Sequence, residues 1–288
     1  MENFALILLA ICVGYFLNRL NIFPKEAPNI LNKFVIYISL PAMIVLQIPK
    51  LTLSFDILVP VIVAWVCIII TAIFIFIVSR ALNFSKEITG CLLLVGTLGN
   101  TSFLGIPIVN AYFGETALPY VIVYDQLGTF LALATFGTFV ASYYSSKSEV
   151  SFKIIVIKVL TFPPFLSLIV ALLLIGVEFP SVVDNVLSTF ANTIVPIALV
   201  AVGLQLKLKL PADEIKPFGI AISTKLIISP ILAYMFCYIF SWNNQVALVS
   251  IMEAGMGPMI TAGAVASLAG LSPRLTSAIV GYGIVFAF

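Results

Sequence analysis

Long apolar runs separated by short polar stretches fill this chain from end to end. Runs of about twenty mostly apolar residues recur from Phe4 to Phe288. Each is long enough to cross a hydrocarbon core about 30 Å thick as an α-helix. Lipid offers no partner for an unpaired backbone amide, so a helix, which pairs its own backbone, is the expected structure. The pattern predicts an all-α polytopic membrane protein.

Charges, prolines and glycines divide the apolar runs into ten predicted transmembrane spans. We interpret the first span as a retained helix and not as a signal peptide, because Glu2 stands where a basic residue is expected and no small-residue cleavage site follows. The ten spans, in chain order, cover residues 3–22, 27–48, 55–80, 88–113, 116–144, 152–176, 181–205, 215–240, 245–270 and 274–288.

Composition supports this prediction. Of 288 residues, 62% are hydrophobic and 9% are charged, whereas charged residues make up about a quarter of a soluble globular domain. The four cysteines lie in apolar spans without paired spacing, so neither a redox motif nor a metal site is indicated. We expect no cofactor and no nucleic-acid partner; the lipid bilayer is the expected surrounding.

Basic residues predict the orientation, because Lys and Arg concentrate in cytoplasmic loops. The even-numbered loops contain only Lys50. Odd loops are therefore predicted to be cytoplasmic, which places both termini on the extracytoplasmic side of a plasma (inner) membrane. Eleven basic residues lie in the odd-numbered loops and their flanks: Arg19, Lys25, Arg80, Lys86, Lys147, Lys153, Lys158, Lys207, Lys209, Lys216 and Arg274.

An internal repeat appears at an offset of about 156 residues. A unit of five spans, an odd number, inserts its second copy upside down, as in many secondary transporters. We therefore predict two inverted five-helix repeats, residues 1–145 and 146–288. The matching positions are Phe23 and Pro24 with Phe179 and Pro180, Gly99 with Gly255, and Gly114 with Gly270.

Spans 4 and 9 occupy equivalent repeat positions, and both have poor helical sequences at their centres. In span 4, Gly96 and Gly99 each cost about 1 kcal/mol relative to Ala, and Pro107 removes a backbone donor while its ring clashes with the carbonyl four residues earlier. Small residues in membrane helices also serve close packing, and this explanation remains open for each span alone. Their coincidence at equivalent positions favours a substrate site between two broken helices. The candidate residues are Asn100, Thr101, Ser102, Pro107, Gly255, Met256, Gly257 and Pro258.

The stretch Gly99-Asn100-Thr101-Ser102-Phe103-Leu104-Gly105-Ile106-Pro107 resembles the fourth-helix signature of the auxin efflux carrier family. That family includes plant auxin carriers and bacterial permeases for malate and malonate. The resemblance implies that spans 4 and 9 cross at their broken centres and that Asn100 helps to hold a substrate carboxylate. It also implies an elevator in which spans 3–5 and 8–10 move against a scaffold of spans 1, 2, 6 and 7, with a homodimer formed through the scaffold.

Charged residues inside predicted spans mark the other candidates, because a charge at that depth is costly and usually faces a cavity or a partner. Asp125 and Lys225 lie near mid-span with opposite signs, and Gln126 is adjacent to the first. They form a structural ion pair, or Lys225 attracts an anionic substrate and Asp125 carries a coupling proton. Glu253 in span 9 joins them as a coupling or charge-compensating residue.

The favoured function is a secondary active or facilitative transporter of a small organic anion, coupled to H⁺ or Na⁺ or uncoupled. The alternative within transport is a cation/proton antiporter with Asp125 and Glu253 as titrating ligands. A membrane enzyme is disfavoured because the sequence has no His, Walker loop, GxSxG elbow or HExxH pair. A channel is disfavoured because no filter motif appears.

Overall fold

The computed structural model describes residues 2–24, 26–50, 55–145, 157, 160–206 and 214–287. Within these ranges the chain is helical and contains no β-strand beyond one isolated bridge. Six of the basic residues that predict the orientation lie outside the described ranges: Lys25, Lys147, Lys153, Lys158, Lys207 and Lys209.

Five of the described helices are long and apolar enough to cross a membrane: α2, α3, α6, α8 and α9. The prediction of an all-helical, multi-pass membrane protein is confirmed, whereas the other five predicted spans are covered by shorter or interrupted helices. In chain order the helices are α1 (Glu2–Arg19), α2 (Ala27–Lys50), α3 (Leu58–Ala81), α4 (Lys86–Val95), α5 (Thr101–Phe113), α6 (Glu115–Tyr144), α7 (Pro163–Leu173), α8 (Ser181–Gln205), α9 (Ile215–Ile239), α10 (Gln245–Ala254), α11 (Ile260–Leu268) and α12 (Pro273–Phe286).

Three helices accommodate an internal proline with a π-helical turn that ends two residues before it. The turns are Val35–Ser39 before Pro41, Thr101–Gly105 before Pro107, and Thr224–Ile228 before Pro230. A proline cannot donate to the carbonyl four residues earlier and its ring clashes there, so a wider turn relieves the conflict. The prediction that Pro107 interrupts span 4 was therefore wrong: α5 runs through Pro107, and the interruption lies earlier, at residues 96–100.

The chain forms two compact units, each built from segments of both sequence halves. Unit 1 comprises Met1–Phe55, Ser102–Ile122 and Val159–Leu206. Unit 2 comprises Asp56–Thr101, Val123–Lys158 and Lys207–Phe288.

Unit 1 is organised by close contacts between helices from opposite halves of the sequence. Helix α1 packs against the second half of α8, where Gly14 and Gly203 bring the two backbones together. Small residues are the usual means of such an approach in membranes. Helix α2 packs against α7 and the first half of α8, and the hydroxyls of Ser39 and Thr193 lie 2.6 Å apart.

Unit 2 surrounds the interrupted segments with a buried apolar core. Helices α3, α4, α6, α9, α11 and α12 contribute to it. Its fully buried members include Ile75, Leu92, Leu94, Leu98 and Leu275. This apolar shell packs around the polar residues described below, several of which are equally buried.

Left-handed backbone conformations recur at related positions of the two halves. Of the seven residues with a positive φ in the described ranges, six follow the end of a helix, where a positive φ terminates the helical hydrogen bonding. The seventh, Ser272 (φ 41°), precedes α12. The recurrence occurs at offsets of about 155 to 158 residues, close to that of the sequence repeat. The pairs are Asn21 (φ 52°) with Gly176 (φ 81°), Asn83 (φ 53°) with Ser241 (φ 56°), and Gly114 (φ 74°) with Gly270 (φ 78°).

Candidate functional site

Two helix interruptions in unit 2 pair with each other. Helices α4 and α10 end at Val95 and Ala254, and residues 96–100 and 255–259 follow as non-helical backbone. The backbone N–H of Asn100 donates to the carbonyl of Gly257 at 2.7 Å, and that of Met259 donates to Leu98 at 2.9 Å. An antiparallel bridge joins Gly99 and Pro258. The pairing satisfies backbone groups that the interruptions release, as membrane depth requires.

A buried carboxylate connects the first interruption to α6. The Thr101 hydroxyl donates to Asp125 Oδ1 at 2.5 Å, and Gln126 Nε2 donates to Oδ2 at 2.6 Å. Asn100, Thr101, Asp125 and Gln126 are each only 1% exposed. Asp125 and Gln126 lie in a second kind of irregularity, the π-helical turn Tyr124–Phe130, and such turns are frequent at functional sites.

Lys225 reaches the second interruption from α9. Its Nζ donates to the carbonyl of Ala254 at 2.8 Å, and its side chain is buried. Ala254 is the last residue of α10, so a cation here meets the negative end of a helix dipole. The sequence suggested Asp125 as a partner of Lys225; the structure provides a helix C-terminus for this ammonium group.

Gly99 makes room for the Lys225 side chain. A Cβ atom at Gly99 would lie 2.9 Å from Lys225 Nζ and 3.0 Å from its Cε. Lys225 therefore lies against the backbone of one interruption while it bonds to the end of the helix that precedes the other. Its ammonium group links both interruptions.

Glu253, one residue before Ala254, is fully buried at 0% exposure. Neither carboxylate oxygen accepts a hydrogen bond from any residue that the structure describes. Asp125 and Lys225 lie near enough to act on Glu253 electrostatically. A buried carboxylate without donors is costly when it is ionised, which makes this position the most unusual polar feature of unit 2.

Comparison with known proteins identifies the family. A family model described as "Membrane transport protein" matches residues 1–288. The protein belongs to the auxin efflux carrier family. Two archaeal proteins are similar to this carrier over most of their lengths. An uncharacterized transporter of Methanocaldococcus jannaschii is 29% identical over 265 residues, covering 89% of this chain and 85% of the relative. An uncharacterized transporter of Methanothermobacter thermautotrophicus is 24% identical over 264 residues, covering 88% and 84%.

Most of the residues that the sequence singled out in this carrier lie in unit 2. Ser102 and Pro107 belong to unit 1 and are buried partly and fully there. Gly99 was not among the predicted site residues, although its place in the family signature could have indicated a role. The residues that unit 2 contains are Asn100, Thr101, Asp125, Gln126, Lys225, Glu253, Gly255, Met256, Gly257 and Pro258.

Gly283 of α12 supports the second interruption of the carrier. A Cβ atom at Gly283 would overlap Cδ of the Pro258 ring and lie 2.6 Å from its Cγ. Gly257 approaches the same helix, since its Cβ would lie 2.9 Å from the Gly283 carbonyl oxygen. The absence of side chains at both positions allows α12 to pack directly on the interrupted backbone.

Gly283→Ala is expected to destabilise unit 2, because the added methyl group must displace the Pro258 ring. Overpacking of this kind costs about 1–3 kcal/mol. Thermal unfolding of the purified carrier in detergent should show a lower melting temperature. A melting temperature equal to that of the unmodified protein would show that the Pro258 segment adapts without cost.

Proposed function

We propose that this transporter carries a small organic anion, a carboxylate, by alternating access, with the substrate held at the paired interruptions of unit 2. The buried ammonium group of Lys225, linking both interruptions, is the observation that carries the proposal. An uncharged or cationic substrate would gain nothing from a desolvated cation, whereas an anion would.

The local backbone supports anion binding. Helices α5 and α11 begin immediately after the interruptions, and a helix N-terminus presents unpaired N–H groups and a partial positive charge. Asn100 lies at one of these starts and supplies an amide side chain, as the family resemblance implies for the substrate carboxylate. Asp125 accepts hydrogen bonds from Thr101 and Gln126, which disperses its own negative charge within the site.

The division into two units supports an elevator mechanism. Unit 1 contains most of predicted spans 1, 2, 6 and 7, the proposed scaffold, while unit 2 contains the paired interruptions together with spans 3, 8, 9 and 10. The segment Ser102–Ile122, from spans 4 and 5, groups with unit 1, although the family resemblance assigns both spans to the moving part. The recurring left-handed helix ends support an inverted repeat, from which two states of similar energy follow. The proposal includes dimerisation through the scaffold and extracytoplasmic termini.

Substitution of Asn100 tests the site. The purified protein in liposomes is expected to show counterflow with members of a panel of labelled mono- and dicarboxylates. Asn100→Ala is expected to raise the concentration for half-maximal counterflow about tenfold or more, since a hydrogen bond to a charged group contributes about 1.5–3 kcal/mol. Asn18→Ala, at an exposed position of α1, is the matched control and should behave like the unmodified carrier.

Two results would contradict the proposal. Folded protein that exchanges no anion of the panel would rule out the substrate class. Unchanged half-maximal concentration in Asn100→Ala would rule out Asn100 as a substrate ligand, although anion transport itself would stand.

A further inference from the structure

We propose that the carrier is a proton–anion symporter and that Glu253 is the residue that carries the coupling proton. The inference rests on the proposed function, because it assigns the coupling ion of the same transport cycle. It is argued from the burial of Glu253, the hydrogen bonds of its neighbours and the position of Lys225.

The surroundings of Glu253 suit a neutral carboxyl group. The side chain has no exposed surface, and within the described ranges no donor reaches either carboxylate oxygen. An ionised carboxylate in such a place has lost its hydration without compensation, whereas a protonated one has much less to lose. Lys225, the nearby cation, donates to the Ala254 carbonyl and not to Glu253. This arrangement therefore fits the proton-loaded form of Glu253.

Asp125 is less suited to this role. Both of its oxygens accept hydrogen bonds, from Thr101 and from Gln126, and these bonds favour the charged form. The titratable or charged groups that act on Glu253 from the helices around it are Asp125 and Tyr124 of α6 and Lys225 of α9. Cys67 of α3 acts on Lys225 in turn. Of the two carboxylates, Asp125 and Glu253, only Glu253 can gain or lose a proton without breaking a hydrogen bond that the structure describes.

Coupling follows from competition for Lys225. When a hydronium ion delivers its proton to a Glu253 carboxylate oxygen, an O–H bond forms, water is released and no electrons change hands. When Glu253 is neutral, it does not compete with the substrate anion for electrostatic attraction to the Lys225 ammonium group. After the proton departs, ionised Glu253 becomes a rival of the anion for that charge. Proton and anion therefore favour each other's binding, and the coupling is reciprocal, as thermodynamic linkage requires.

Liposomes with an imposed pH gradient test the assignment. For an anion that shows counterflow, acid outside and neutral inside is expected to drive accumulation several-fold above equilibrium. Glu253→Gln mimics the neutral side chain and cannot release a proton. It is expected to retain measurable counterflow while accumulation falls to the equilibrium level. Glu87→Gln makes the same chemical change at an exposed position at the start of α4 and should accumulate like the unmodified carrier.

Two further variants distinguish the loss of the proton carrier from a folding defect. Glu253→Asp keeps a titratable group and is expected to keep gradient-driven accumulation. Asp125→Asn is expected to lower counterflow and accumulation in proportion. If Asp125→Asn lost accumulation selectively, or if Glu253→Gln accumulated normally, Glu253 would not be the proton carrier.

The outcomes separate this inference from the proposed function. Absence of counterflow with every anion would overturn the proposed function and the symport with it. Counterflow that is present, with accumulation indifferent to the pH gradient, would overturn the proton coupling alone. Accumulation driven by a sodium gradient and lost in Glu253→Gln would replace the proton by Na⁺ at the same residue.

Discussion

Gly99→Ala is expected to reduce anion transport at least tenfold while the protein remains folded. The new methyl group would lie 2.9 Å from Lys225 Nζ, too close for the ammonium group to stay on the Ala254 carbonyl. The side chain is flexible and can move aside, so the main loss is the position of the charge. A charged hydrogen bond contributes about 1.5–3 kcal/mol, and 1.4 kcal/mol corresponds to a factor of ten.

The other half of the sequence offers the matched control. Gly255 matches Gly99 at the sequence offset of 156 residues. A Cβ atom at Gly255 would meet its nearest neighbours, Met252 and Pro230, at 3.4 Å, an ordinary contact distance. Gly255→Ala should therefore retain transport. Initial rates of counterflow and melting temperatures should be measured for both variants. Equal rates in the two variants would show that the close approach of Lys225 to Gly99 has no part in transport.

Gly203→Ala is expected to be the more severe change for stability. A Cβ atom at Gly203 would overlap the carbonyl oxygen of Ile11 and lie 2.9 Å from Gly14 Cα. The obstacles are backbone atoms, which cannot rotate away, so α1 and α8 must separate. We expect a loss of about 3 kcal/mol or more, at the upper end of overpacking effects.

Gly219→Ala provides the comparison, because a Cβ atom on this helical glycine of α9 meets nothing within 4 Å. Alanine there should leave stability unchanged or raise it by about 1 kcal/mol through helix propensity. Thermal unfolding in detergent, with the yield of monodisperse protein, distinguishes the two variants. A Gly203→Ala protein as stable as Gly219→Ala would show that α1 and α8 need no glycine contact.

The polar part of unit 2 combines residues distant in sequence around two short stretches of non-helical backbone. Asp125, Lys225 and Glu253 come from three different helices, and each is nearly or fully buried. Two of them sit in π-helical turns, the turns Tyr124–Phe130 and Thr224–Ile228. Irregular backbone thus accompanies Asp125, Lys225 and both interruptions, whereas Glu253 lies in the last turn of the regular helix α10. Non-helical backbone at membrane depth is tolerated where it is buried in protein or lines a cavity.

The glycines and prolines of the sequence located the interruptions to within a few residues, but of the two causes predicted for span 4 only the glycines coincide with the break. Glycines cost helix stability, and the cluster at residues 96–100 marks the first break correctly. Pro107 was expected to contribute and does not, because a π-helical turn absorbs it. A proline in a helix removes the backbone hydrogen bond to the carbonyl four residues earlier. Whether the helix then breaks or forms a wider turn depends on the packing around it.

The amino-acid sequence by itself determined the class of this protein, its helical segments and the family to which it belongs. Apolar length and backbone pairing in lipid depend on local composition, so they can be read from one chain. The tertiary structure alone decided that Lys225 bonds to the end of α10, that Gly99 accommodates it, and that Glu253 lies buried without a donor. Such partners depend on which helices pack together and at what distance. A single sequence leaves no record of these contacts, whether the residues are 29 positions apart, as Lys225 and Ala254 are, or more than a hundred apart, as Gly99 and Lys225 are.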